Sequence, residues 1–149
     1  MRILCDTSVL VAALVQAHPM HSLALPWLER AKEGKVQLFV ATHSLAELFS
    51  VLTALPVRPR ISPRLARQLI EVSIEPFAEL VPLAVSDYRA VLDRMAELGL
   101  AGGSVYDGLV ARAAEKSKAA RLVTFNERDF RRLWPEATEK LLRPGHPPA

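Results

Sequence analysis

Short apolar runs alternate with helical patterns along nearly the whole chain, and this alternation constrains the fold more than any other feature. Runs of strand length stand at Arg2–Cys5, Val36–Ala41, Leu80–Val85 and Arg121–Phe125. Helical patterns separate them at Thr7–Gln16, His21–Glu33, Ser44–Leu55, Pro63–Ser73, Ser86–Leu98 and Ser104–Ser117, with a last short one at Glu127–Leu133. Strands joined through helices predict an α/β layered fold with a mostly parallel sheet. Pro26 is expected to kink the second helix or delay its start. Ser62 and Pro63 supply an N-cap and a first-turn proline, and Gly99 a helix stop.

With 149 residues, half of them hydrophobic, the chain can bury one domain-sized core. No internal repeat or low-complexity linker interrupts it. No apolar stretch approaches the ~20 residues that span a bilayer. The start, Met1-Arg-Ile-Leu-Cys-Asp6, lacks the shape of a secretory signal, so a cytoplasmic location is expected. A single cysteine, Cys5, excludes a disulfide framework and a cysteine-based zinc site, and its apolar setting predicts a buried, inert thiol. The segment from Arg143 to Ala149, with Pro144, Pro147 and Pro148, reads as a flexible tail.

Four acids, Asp6, Glu47, Asp107 and Asp129, fall at or near predicted helix starts, and Asp6 and Asp129 follow strands. In a parallel sheet, segments leaving the carboxyl ends of strands converge on one edge, where ligands bind. Plain helix capping accounts for the same positions. Asp6 can cap, Ser44-Leu-Ala-Glu47 matches a capping box, Ser104-Val-Tyr-Asp107 nearly does, and Asn126 can cap a helix with Asp129 in its first turn. Asp87 shows that this chain also places acids at helix starts for ordinary reasons. If the four do share a site, their repulsion calls for a cation. Oxygen donors then favour Mg²⁺ or Mn²⁺ over Zn²⁺, and such ions support in-line displacement at phosphorus, which is nuclease chemistry.

The motifs Ile3-Leu-Cys-Asp6-Thr-Ser8, Ser44-Leu-Ala-Glu47-Leu-Phe, Gly102-Gly-Ser-Val-Tyr-Asp107-Gly-Leu-Val-Ala and Leu122-Val-Thr-Phe-Asn126-Glu-Arg-Asp129-Phe130 occur in this order. Together they resemble the PIN-domain ribonucleases, most closely the toxins of VapBC toxin–antitoxin pairs. The resemblance covers residues 1–142 and leaves 143–149 as the tail. It implies a three-layer α/β/α sandwich with a small, mostly parallel sheet. It also implies a metal-dependent endoribonuclease that acts as a toxin and is held by a cognate antitoxin, with RNA as substrate and a homodimeric assembly. Asp6, Glu47 and Asp107 take the family's metal-binding places. The fourth place is open between Asp129 and Asn126, because many relatives carry an acid where Asn126 stands; Asp129 is preferred here. Thr7, Ser8 and Thr124 are expected to orient the carboxylates through their hydroxyls. The implied cofactor is Mg²⁺, with Mn²⁺ as the alternative.

Other enzyme and signalling classes fit less well. A haloacid-dehalogenase-type phosphatase needs a second Asp where Ser8 stands. A phosphoacceptor receiver needs an acidic pair after the first strand, an Asp after the central strand and a lysine after the last. A PIN-fold module that binds RNA or a partner without catalysis is the remaining alternative, and the four acids argue against it.

Arg58, Arg60, Arg64 and Arg67, with Arg128, Arg131 and Arg132, suit either a solvated face or RNA phosphates. With the four candidate acids set aside, 12 acids face 19 bases, which tilts the choice toward RNA. Tyr106 and Phe125 flank candidate acids and read as core packing, with base stacking as the alternative. His18 and His21 read as exposed turn residues, His43 as a helix-start or pocket-edge residue, and His146 as part of the tail. The apolar face Leu45, Leu48, Phe49, Leu52 and Leu55, with the stripe Leu65, Leu69 and Val72, suits a core, a dimer interface or the antitoxin, which the family resemblance places here.

Overall fold

A computed structural model describes residues 1–145. The strands are β1 (Arg2–Cys5), β2 (Gln37–Ala41), β3 (Ala78–Val81), β4 (Arg121–Val123) and β5 (Leu141–Leu142). The helices are α1 (Thr7–Leu14), α2 (His21–Lys32), α3 (Thr42–Ala54), α4 (Pro63–Ser73), α5 (Val85–Leu98), α6 (Ser104–Lys116) and α7 (Glu127–Leu133). The sheet order is β3-β2-β1-β4-β5, and every strand pair is parallel.

The central strands run apolar over Ile3–Cys5 and Leu38–Ala41 because both faces of the sheet are covered there, while polar Arg2, Gln37 and Arg121 stand at strand starts and Glu79 in β3. Alternate side chains go to opposite faces. Ile3, Cys5, Leu38, Val40 and Val123 join one core with Leu10, Trp27, Leu48 and Ile70 from α1 to α4. Leu4, Phe39, Ala41, Val81 and Leu122 join the other with Met95, Val110, Phe130 and Leu133 from α5 to α7. The result is the expected three-layer sandwich. Each fully buried large side chain, such as Phe39 or Leu4, contributes about 1.5–3 kcal/mol.

Local signals act mostly as read. The Ser62 hydroxyl accepts from the Leu65 N–H at 3.1 Å, with Pro63 opening α4. Gly99 ends α5 at a positive φ of 65°, a conformation that costs glycine little. Gly108 allows α5 to lie close on α6: a Cβ there would come within 2.8 Å of Val91 Cγ1.

Several expectations are corrected. Helix α2 starts at His21 and runs through Pro26. Pro26 is exposed, as is Ser22, whose carbonyl loses its helical partner and can face water instead. Helix α3 starts at Thr42 behind Ala41, so Ser44 is not its cap and no Ser44–Glu47 box forms. Strand β3 lies earlier than Leu80–Val85, and Val85 opens α5. Strand β5, only two residues long, was not anticipated. Residues 146–149, including His146 and most of the expected tail, lie outside the described residues.

Candidate active site at the sheet switch point

The strand order turns at β1: the chain builds outward through β2 and β3, then returns to add β4 on β1's other edge. Such a switch point opens a crevice at the carboxyl ends of the strands. Asp6 follows β1 there, and Thr124 follows β4. The Asp6 N–H donates to the Val123 carbonyl at 3.0 Å, tying the two strand ends together.

Asp6 is 4% exposed, and its carboxylate is held on both oxygens. Oδ1 accepts from the Thr7 N–H at 2.8 Å, so Asp6 does cap α1. Oδ2 accepts from the Ser8 and Thr124 hydroxyls, each at 2.9 Å. Those hydroxyls are fixed in turn: Ser8 Oγ accepts from the Phe125 N–H at 3.2 Å and Thr124 Oγ1 from the Asn126 N–H at 2.9 Å. Ser8 and Thr124 thus both reach Asp6 through their hydroxyls. Thr7 contributes its backbone, while its buried hydroxyl has no hydrogen-bond partner. Burial raises the Asp6 carboxyl above its ordinary value, and these hydrogen bonds oppose the rise.

Asp6, Glu47 and Asp107 line one cavity of about 460 Å³, together with Thr7, Ser8, Phe125 and Asn126. Burial pushes the Asp107 carboxyl up to about 7, and the negative charges of Asp6, Asp129 and Glu47 add to the rise. Glu47 is also raised by burial, opposed by His43, whose Nε2 lies 3.1 Å from Glu47 Oε1. Asp6, Glu47 and Asp107 therefore share the cavity, whereas Asp129, exposed in the first turn of α7, does not line it and bears on it only through its charge at Asp107. Asn126 lines the cavity at the N-cap position of α7, but its side chain makes no capping bond, contrary to expectation.

Asp87 is the contrast. Its carboxylate accepts from the Ala84 N–H at 2.7 Å, from Arg112 at 2.9 Å and from Lys116 at 2.8 Å. Those partners, Lys116 foremost, hold its carboxyl well below the ordinary range. Among the described residues, Asp6, Asp107 and Asp129 have no such ion pair. One helix-start acid is therefore structural, while around the cavity Asp6 and Asp107 have no lysine or arginine partner and Glu47 meets only His43.

Four further residues differ from expectation. Arg143, read as part of a loose tail, also lines the cavity and donates to the Phe125 carbonyl at 2.9 Å and to Glu127 Oε1 at 3.1 Å. Tyr106 is half exposed and stacks on His43. His18 and His21 are only partly exposed: His18 Nδ1 accepts from the Met20 N–H, and His21 Nδ1 lies 2.8 Å from the Ala12 carbonyl. Arginine and aromatic side chains carry no periodic signal that separates a cavity wall from a surface. Cys5 is buried, and its thiol is pushed up to about 12, first by burial and then by the Asp6 charge, in keeping with an inert role.

The model of the PIN domain matches residues 3–133. Ribonuclease VapC40 of Mycobacterium tuberculosis is 34% identical over 137 residues, 91% of each chain. Ribonuclease VapC27 of the same species is 34% identical over 114 residues, 76% of this chain and 77% of the relative. Among solved structures, VapBC2 from Rickettsia felis, bound to a DNA fragment from its promoter, superposes with a TM-score of 0.64 at 21% identity. That match covers 96% of this chain and 98% of that one, and bears on the fold. Motif order, sheet topology and these matches agree: the chain belongs to the PIN-domain family.

Proposed function

We propose that this protein is a metal-dependent endoribonuclease and the toxin of a toxin–antitoxin pair. The observation that carries the reading is the convergence of Asp6, Glu47 and Asp107 on one cavity, with no lysine or arginine paired to them, in a chain 34% identical to ribonucleases of the VapC type. Asp6, Glu47 and Asp107 would hold Mg²⁺ or Mn²⁺, and their all-oxygen donor set suits either ion. The fit rests on Asp107, whose carboxyl is crowded by three like charges that a cation would offset. Among the described residues no three acids, histidines or cysteines close into a ready cage, so water would complete the coordination. Such an ion supplies Lewis acidity at phosphorus and lowers the pKa of water.

The chain's own groups do the rest. Ser8 and Thr124 fix the Asp6 carboxylate, and the Thr7 N–H fixes its second oxygen. Asp129 is proposed as the fourth negative charge of the site and as the acceptor of a proton from the attacking water, on the strength of its charge acting on Asp107. Arg58, Arg60, Arg64, Arg128, Arg131 and Arg132 are exposed and suit phosphate contacts.

An antitoxin is proposed as partner on α3 and α4, where Phe49, Val51, Leu65 and Val72 remain exposed although both cores are complete. Val85, Tyr88 and Leu92 make a second apolar line on α5, which suits a homodimer. Among the described residues no helix is long and apolar enough to cross a membrane. A cytoplasmic location is proposed with the toxin reading.

The test uses the antitoxin-free protein on RNA. Cleavage with Mg²⁺ or Mn²⁺ that stops on chelation is expected. Undiminished cleavage in chelator rejects the metal mechanism.

A further inference from the structure

We propose that Tyr106, backed by His43, is a stacking platform for an unpaired nucleobase beside the phosphodiester bond held at the acidic cavity. The proposal rests on the ribonuclease reading and names the residue that would contact a base next to the cut.

Tyr106 sits in the first turn of α6, directly before Asp107, and is 50% exposed. Its ring lies parallel to His43, with an interplanar angle of 4° and centroids 5.2 Å apart. His43 in turn leans on Glu47 through the 3.1 Å contact. The ring pair is therefore braced against a cavity acid, while half of the tyrosine stays open. A large aromatic side chain beside two complete cores gains little from packing there.

The two rings border a groove of about 340 Å³, with Ala46, Glu47, Ser50 and Val51 as its other walls. Glu47 and Val51 also line the acidic cavity, so the two spaces share a wall. A phosphate in the cavity would place a neighbouring base at the groove. No lysine or arginine lines the groove, so a phosphate would find no cation in it, whereas an aromatic face and Val51 suit the flat face of a base. Bases inside a duplex are already stacked on each other; an unpaired one can turn onto the ring.

The test compares wild type and Tyr106→Ala on a short single-stranded RNA spanning a mapped cleavage site. The same RNA made abasic at each nucleotide flanking the cut, in turn, is the second substrate. Tyr106→Ala is expected to lower kcat/KM about tenfold on the intact RNA, mainly through KM. On one of the abasic RNAs, variant and wild type should cut alike. Tyr106→Trp should restore cutting of the intact RNA. Equal losses on intact and abasic RNA, or no loss on either, overturn the platform while leaving the ribonuclease reading in place. A wild type that cuts no RNA overturns both.

Discussion

The Thr124 hydroxyl donates to Asp6 Oδ2 at 2.9 Å, joining two residues 118 positions apart at the ends of neighbouring strands. That bond belongs to a short chain: the Asn126 N–H donates to the same hydroxyl, so a backbone amide of the β4 exit helps aim a carboxylate of the β1 exit. Thr124→Val keeps the shape and removes the link. It should raise the metal concentration for half activity about 10- to 100-fold. It should also cost about 1–3 kcal/mol of stability, because a buried charge loses a donor. Thr124→Ser should behave close to wild type. Metal titration of activity and thermal melts of the two variants check this.

Asp107 gives the ion-free protein a defined pH dependence. Its folded carboxyl titrates near 7, against 3.8 as the ordinary value. Between those values the folded chain binds more protons than the unfolded one, so this group's contribution to stability falls as pH rises through that window. Asp6 and Glu47, both raised, act in the same direction. In chelator, Asp107→Asn should therefore melt higher than wild type at pH 8, with a flatter dependence of Tm on pH. A lower Tm at pH 8 would show the carboxylate to be a structural group.

Asp87 has the opposite sign. Its folded carboxyl is depressed, chiefly by Lys116, so its contribution is present above the ordinary 3.8 and is lost as pH falls below it. Asp87→Asn should cost about 1–3 kcal/mol near neutrality and leave RNA cleavage per folded molecule unchanged. The stability difference from wild type should shrink in acid. Denaturant melts at several pH values measure it.

The fourth position separates by paired variants. Asn126 makes no capping bond through its side chain and is exposed, so Asn126→Ala should change stability by less than about 0.5 kcal/mol. Asp129→Asn should lower the rate about tenfold or more and raise the metal requirement. Loss of activity at Asn126 with full activity at Asp129→Asn would move the fourth role to the amide.

The layered architecture was legible in the sequence because the signals agreed. Ile3 to Cys5 and Leu38 to Ala41 are continuous apolar runs, and the Ser62-Pro63 start and Gly99 stop sit where chain geometry needs them. The capping reading failed where backbone and side chain disagree: α3 begins two residues before Ser44, and its cap is Ala41, which has no polar side chain. Strand β5 is two residues long, below what alternation can reveal. The acids were visible one by one, but spacing alone could not separate Asp87 from Asp107. What separates them is Arg112 and Lys116, which lie further along α6 than Asp107 and pair with Asp87. Arg143 reaches the cavity only because β5 pairs beside β4, a relation that no local pattern carries.

The central claim is that Asp6 belongs to a ribonuclease site. Its most direct test is sequencing of cellular RNA ends after expression of wild type and of Asp6→Asn, with circular dichroism showing both folded. New ends at defined positions with wild type, absent with Asp6→Asn, are expected. The same ends from a folded Asp6→Asn protein, or no new ends from either, would contradict it.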